Sequence, residues 1–207
     1  MTVSNKHQWF DGWIYSALIA PNLKFIFKKV YDIINKQSTV LDVACGTGFF
    51  ALNYYANFLK IVGVDLSSTN IKKAQQLKQK KNIKNIEFIH QDATKLTENF
   101  PNNAFDYSFT SLALHEMPEN IRSTVIKQMS EVSKEQLFID YSFDKLNYST
   151  LIVYLSEFFA GREHFNNFLN FKKNGGLIPL IQQANLEIIA EYYLFKYNLK
   201  IIHTKSK

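Results

Sequence analysis

The chain has 207 residues, 46% hydrophobic and 15% aromatic, with a formal net charge of +6. That much apolar side chain excludes a disordered polymer, and no apolar run reaches the ~18 residues needed to cross a bilayer. A single cysteine excludes an internal disulfide, and Met1 to Gln8 lacks the apolar core of a secretion signal, so the expectation is one cytoplasmic α/β domain spanning residues 1–207.

Taken in chain order, Trp9 to Ala20 reads as an aromatic amphipathic helix and Asn22 to Asn35 as a second helix after Pro21. Val40 to Ala44 is a first strand, Phe49 to Phe58 a helix, and Ile61 to Asp65 a second strand. Ser68 to Lys80 is helical, with Ser67 or Ser68 as its cap. Ile86 to His90 and Phe105 to Thr110 are strands three and four, Asn120 to Val132 is helical, and Gln136 to Tyr141 is strand five. Leu146 to Asn170 reads as mostly helical, broken at Gly161. Gly176 to Ala184 is a short helix, and Leu186 to Phe195 with Leu199 to Thr204 form a closing pair of strands. Strands alternating with helices predict a doubly wound sheet with right-handed crossovers. The first 38 residues would cap it, and residues 144–174 would form a lid over its carboxyl edge.

The most informative stretch is Val40 to Ala51. An apolar strand ends near Asp42 and turns through Gly46 and Gly48 into a helix N-terminus, where free N–H groups favour a polar ligand. Only 7 residues are glycine, so two within three positions point to a close backbone approach. Two further strands end at Asp65 and Asp92. Three strands in succession therefore bring a carboxylate to the carboxyl edge, where open α/β sheets bind ligands. An ionised aspartate is an acceptor-only group, suited to hydroxyl or amino donors on a ligand.

The wording Asp42-Val43-Ala44-Cys45-Gly46-Thr47-Gly48, followed by Asp65 and Asp92, resembles the class I S-adenosylmethionine-dependent methyltransferases. The similarity is to their small-molecule branch, which includes quinone-biosynthesis C-methyltransferases, and it runs from about Thr39 to Tyr141. It implies a Rossmann-like seven-stranded sheet in the order 3-2-1-4-5-7-6, with the last strand antiparallel, and S-adenosyl-L-methionine as cofactor. By the same resemblance Asp42, Ala44, Gly46 and Gly48 surround the methionine part, Asp65 takes the ribose hydroxyls and Leu66 lies on the adenine. Asp92 and the Ala93 N–H reach the adenine edge, and Thr110 stands near the sulfonium. Ala44 departs from the glycine of many members.

Methyl transfer from a sulfonium asks the protein mainly to align, desolvate and sometimes deprotonate the acceptor. His115, just beyond strand four, is the first candidate for that role, with Tyr141 at the end of strand five and His164 in the lid as further candidates. Tyr15 could close over the cofactor with its ring face toward the sulfonium. Aromatic residues of the first helix and of the lid (Tyr148, Tyr154, Phe158, Phe159, Phe165, Phe168) are core packing in part and pocket lining in part, which suits an apolar or aromatic small-molecule substrate.

Other readings stay open. The aromatic stripes could touch a membrane surface if the acceptor is a lipid or quinone, or the chain could bind the cofactor without turnover. A nicotinamide oxidoreductase would use a similar turn, and Tyr141 and Lys145 have a Y-x-x-x-K spacing, but Tyr141 ends a strand where that pair belongs on a helix. Nucleic acid is a poor partner: of 24 basic residues only Arg122 and Arg162 are arginines, and Lys72 to Lys84 reads as a solvated helix face. Cys45 is read as a small packing residue. No metal site is expected, since His7, His90 and His203 have no ligand cluster at a metal spacing. The pattern commits to no oligomeric state.

Overall fold

The computed structural model describes residues 20–143, 148–194 and 198–207. The expected Trp9 to Ala20 helix, Tyr15 and Lys145 lie outside the described residues, apart from Ala20 itself. Helix α1 (Ala20–Ile33) leads into β1 (Thr39–Val43), α2 (Phe49–Tyr54), β2 (Lys60–Asp65), α3 (Ser68–Lys80) and β3 (Ile86–His90). Then follow β4 (Phe105–Ser111), α4 (Glu119–Val132), β5 (Ser133–Tyr141), α5 (Tyr148–Phe159), α6 (Arg162–Lys173), α7 (Leu177–Gln183), β6 (Leu186–Leu194) and β7 (Leu199–Ser206). Short 3₁₀ turns at Tyr55–Asn57, Ala93–Glu98 and Leu114–Glu116 link them.

All seven strands form one sheet in the order β3-β2-β1-β4-β5-β7-β6. Strands β1 to β5 pair in parallel, and β7 runs antiparallel to both β5 and β6. Fold and strand order are as expected from the sequence. Most boundaries shift by no more than two residues, and three shift further, the first being the end of the lid helices at Lys173 rather than Asn170. The helix after the glycine turn ends at Tyr54 rather than Phe58, giving way to a 3₁₀ turn, and β5 starts at Ser133, three residues early.

A parallel sheet buries both faces, so its strands read as continuous apolar runs whose alternate residues serve opposite cores. Val40, Phe109 and Ile139 join the core beneath α1, α2 and α3, while Leu41, Val43 and Phe138 join the core beneath α4 and α7. Phe50 is fully buried against Phe109, the ring centroids 4.7 Å apart in an edge-on arrangement. Such a pair adds about 0.5–1.5 kcal/mol beyond its area burial. The Ser67 hydroxyl caps α3 by accepting the Asn70 N–H, as the sequence suggested. Apart from the half-buried Lys78, the lysines from Lys72 to Lys84 are exposed.

Gly161, at φ +115, separates α5 from α6, as expected of the helix break. That reversal lets the last turn of α5 and the first turn of α6 present side chains to the same place. Arg122 on α4 then ties the lid down. Its Nε donates to the Leu114 carbonyl at 2.9 Å, Nη1 to Asn170 Oδ1 at 2.7 Å and Nη2 to the Asn167 carbonyl at 2.6 Å.

Candidate active site

The glycine elbow begins where β1 ends. Ala44 has φ +59, a left-handed conformation that costs an L-residue with a Cβ roughly 1–2 kcal/mol. That is the physical reason glycine suits this position. Gly46 (φ +55) has nothing within 4 Å of where a Cβ would stand, so it faces open space. Gly48 differs: a Cβ there would lie 2.3 Å from Phe88 Cζ. Its missing side chain is filled by the protein itself, so Gly48 shapes the helix–sheet contact rather than a ligand cradle. Cys45 packs against the same core, as read.

Asp65, at the end of β2, is locked to this elbow. Its Oδ2 accepts the Gly46 N–H at 2.8 Å and its Oδ1 accepts the Ser67 N–H at 2.8 Å. Oδ1 also accepts from Asn70 Nδ2 at 3.5 Å, while Oδ2 keeps a lone pair for a further donor. Leu66 beside it is half exposed. Asp92 follows β3 and accepts both the Thr94 N–H and the Thr94 hydroxyl on Oδ1, capping the turn that begins at Ala93.

At the ends of β1 and β4, Asp42 Oδ2, Thr110 Oγ1 and Ser111 Oγ are buried with no hydrogen-bond partner among the described residues, although such groups are ordinarily satisfied. Asp42 and Thr110 belong to neighbouring strands, with Asp42 opposite Phe109 in the ladder. Burial first, and the Asp65 carboxylate second, push the Asp42 pKa well above the usual carboxylate range. The folded chain therefore holds a proton that the unfolded chain gives up near pH 4, and stability falls as pH rises from there toward the folded value. Asp42→Asn is expected to flatten that decline and to leave the ligand-free protein more stable than wild type at pH 8, measured by urea unfolding at pH 5 and pH 8.

At the ends of β4 and β5 a second polar cluster forms. The buried His115 donates its N–H to Asp140 Oδ2 at 3.1 Å, and its Nδ1 lies 2.6 Å from Asp140 Oδ1. A carboxylate only accepts, which assigns the ring proton to Nδ1. From α5, Glu157 reaches in: its Oε1 accepts the Tyr141 hydroxyl at 2.8 Å, and its Oε2 meets His164 Nε2 from α6. His115 and Tyr141 rings lie 4.7 Å apart, and Phe168 closes edge-on over both. Burial alone would lower the His115 pKa, but the Asp140 and Glu157 carboxylates outweigh it and hold it well above the usual imidazole range. Burial also raises the neighbouring Glu116 to about 7, against the pull of His115 and His164.

The structure thus brings His115, Tyr141 and His164 together and sets Asp42, Ala44, Gly46, Asp65, Asp92 and Thr110 along one edge of the sheet. Sequence reasoning missed Glu157, which joins the three candidates. Its one signal is an acidic residue inside the aromatic run Tyr154 to Phe159. Tyr141 ends a strand, which removes the helical Y-x-x-x-K reading.

A family model described as a methyltransferase domain matches residues 34–142, more than half of the chain. The chain belongs to the methyltransferase domain family. Demethylmenaquinone methyltransferase of Oceanobacillus iheyensis is 31% identical over 104 residues, covering 49% of this chain and 42% of that protein. The chain therefore spans less than half the length of this curated relative. Among solved structures, the PH0226 protein of Pyrococcus horikoshii superposes with a TM-score of 0.73 at 18% identity, covering 98% of this chain and 100% of that one. A SAM-dependent methyltransferase from Aquifex aeolicus gives 0.64 at 17% identity, with 94% of each chain covered. These likenesses establish the fold of an S-adenosylmethionine-dependent methyltransferase domain.

Proposed function

We propose that this chain, a single domain with a cap over residues 1–38 and a lid over 144–174, transfers the methyl group of S-adenosyl-L-methionine to a small apolar or aromatic acceptor. The observation that carries this reading is Asp65 held by the Gly46 N–H at 2.8 Å: the glycine elbow and a diol acceptor form one rigid unit. Asp65 takes the ribose hydroxyls and Leu66 supports the adenine. Asp92 and the Ala93 N–H face the adenine edge, while Asp42, Ala44 and Gly46, with Gly48 shaping the turn, surround the methionine part. Thr110 stands beside the sulfonium, and Tyr15 is assigned the cover. When bound, the cofactor supplies the methyl group and a good leaving group.

The chain's own task is then placement. His115, Tyr141 and His164 form the acceptor end of the site, beside Thr110 and beneath the lid, where water is excluded and a reacting atom can be held in line. Relatives named demethylmenaquinone methyltransferases make a quinone-like ring the first acceptor class to test. Exposed Leu155, Phe158 and Phe159 give the lid an apolar outer face suited to delivery of such an acceptor from a membrane surface. Among the described residues no helix is long and apolar enough to cross a membrane, and the chain is assigned to the cytoplasm on its cysteine content.

Calorimetry with S-adenosylmethionine, its demethylated product and NAD tests the cofactor assignment, and a preference for NAD would overturn it. Asp65→Ala is expected to weaken cofactor binding by about 1–3 kcal/mol, the cost of losing hydrogen bonds to a charged group. Unchanged affinity removes Asp65 from the ribose. For His115→Ala, transfer of labelled methyl to a cell extract should slow at least tenfold while cofactor affinity stays within about twofold. Equal rates would take His115 out of the reaction, and no transfer by wild type would leave a cofactor-binding protein without turnover.

A further inference from the structure

Three ligand-type atoms from three separate elements meet beneath the lid: His115 Nε2, Glu157 Oε2 and His164 Nε2 lie within 4.8 Å of one another. His115 and Glu157 are 2% and 4% exposed, and His164 is 19% exposed. The cluster is therefore buried, with one member at the way in. We infer that His115, Glu157 and His164 form a binding site for a divalent first-row transition-metal ion of the zinc type.

Four observations carry the inference. First, the Asp140 contact fixes the His115 ring with Nε2 3.6 Å from Glu157 Oε2, too long for a hydrogen bond. A metal ion between these two atoms would take the place of the proton that Nε2 carries in the metal-free imidazolium. Second, the distance is the right one. Ligand atoms about 2.0–2.2 Å from a tetrahedral ion stand roughly 3.3–3.6 Å apart. Only His164, in direct hydrogen bond with Glu157, would have to withdraw, and it sits on the first turn of α6 beside the Gly161 reversal. Third, the outer partners are those of a metal centre. A carboxylate holds the far nitrogen of a ligating histidine, and the Tyr141 hydroxyl holds the spare oxygen of the ligating glutamate. Fourth, Asp140 and Glu157 are buried and Glu116 Oε1 lies 3.9 Å from His115 Nε2. Three carboxylates converge on two imidazoles, while Arg122 directs its three hydrogen bonds to carbonyl and amide oxygens.

Two histidines and one glutamate leave at least one coordination position open, as in catalytic rather than structural zinc sites. On the methyl-transfer reading, which this role alone requires, that position would take the acceptor's oxygen, nitrogen or sulfur. The metal site itself does not depend on that reading.

The test is a metal titration of the full chain, freed of metal with chelator, followed by calorimetry with Zn²⁺ and by the visible spectrum after adding Co²⁺. The expected result is one ion per chain, and a Co²⁺ spectrum of four- or five-coordinate type. His164→Ala, at the most exposed ligand, should weaken Zn²⁺ at least a hundredfold with an unchanged circular dichroism spectrum, and Asp140→Asn should weaken it 10–100-fold. His203→Ala serves as control. His203 pairs with Glu135 at 2.7 Å near the start of β5, at the opposite edge of the sheet, and its loss should leave Zn²⁺ binding intact. Failure of wild type to bind one Zn²⁺, or binding equally strong in His164→Ala, overturns the site. Because metal binding is read without cofactor or acceptor, loss of the methyl-transfer reading would show separately, as absent S-adenosylmethionine binding with Zn²⁺ still bound.

Discussion

Gly48→Ala is expected to destabilise the fold by about 1–3 kcal/mol for the left-handed backbone and about 1–3 kcal/mol more for overlap with Phe88. The backbone there has φ +77, and the new Cβ would fall 2.3 Å from Phe88 Cζ and 3.3 Å from Ala74 Cβ. Neither neighbour yields easily, since Phe88 is buried between the elbow and α3 and Ala74 is itself in the core. Shortening the ring separates the two costs. In Gly48→Ala combined with Phe88→Leu, the overlap is relieved while the backbone strain persists. The double variant should therefore be more stable than the sum of the singles by about 0.5–3 kcal/mol, measured by urea unfolding. Strict additivity would mean that the ring is not the obstacle. Gly46→Ala provides the contrast, because its Cβ meets open space. It bears backbone strain alone, and its new methyl projects where a ligand would approach.

The two glycines show how far the sequence can be read. Spacing alone treats Gly46 and Gly48 alike, as parts of one ligand-binding turn. Only the fold reveals that Phe88, forty residues on, occupies the space that Gly48 leaves. The strands themselves and the positions of Asp42, Asp65 and Asp92 were legible because both depend on short-range patterns. Apolar runs define the strands, and each aspartate follows directly on its own run. The family likeness then supplied the order in which the strands lie, which local patterns do not contain.

The acceptor end was legible only in part. His115 and Tyr141 could be placed because each directly follows or ends a strand. His164 could be placed no more closely than the lid. Glu157 had only the signal of an acid inside an aromatic run, and its role depends on how the Gly161 reversal folds α5 and α6 back over β5. A metal site was not expected from spacing, because residues 115, 157 and 164 share no helix face or loop. Their convergence is a property of tertiary packing, to which single-sequence patterns are blind.

The largest loss of stability at this end should come from Glu157→Leu, a change that keeps the volume and removes the charge. Glu157 is almost fully buried, accepts the Tyr141 hydroxyl at 2.8 Å and meets His164 Nε2. Leucine would leave a buried phenol and a ligand-type imidazole without partners, while Asp140 and Glu116 remain close by. Removing one partner from a buried charged cluster costs about 3–5 kcal/mol, and that loss is expected in urea unfolding of the metal-free protein. Glu157→Gln keeps an oxygen for Tyr141 and should lose about 1–3 kcal/mol, the cost of one buried donor or acceptor left unsatisfied. Because α5 meets the sheet end through this side chain, Glu157→Leu should also raise proteolytic nicking of α5, at protease concentrations that leave wild type intact. The α6 anchor through Arg122, Asn167 and Asn170 is untouched by the change and should keep that helix protected. If Glu157→Leu unfolds no more readily than wild type and α5 resists nicking, the cluster does not hold the lid. His115 would then be positioned by Asp140 and Phe168, Tyr141 by Phe168, and His164 by its ring contact with His115.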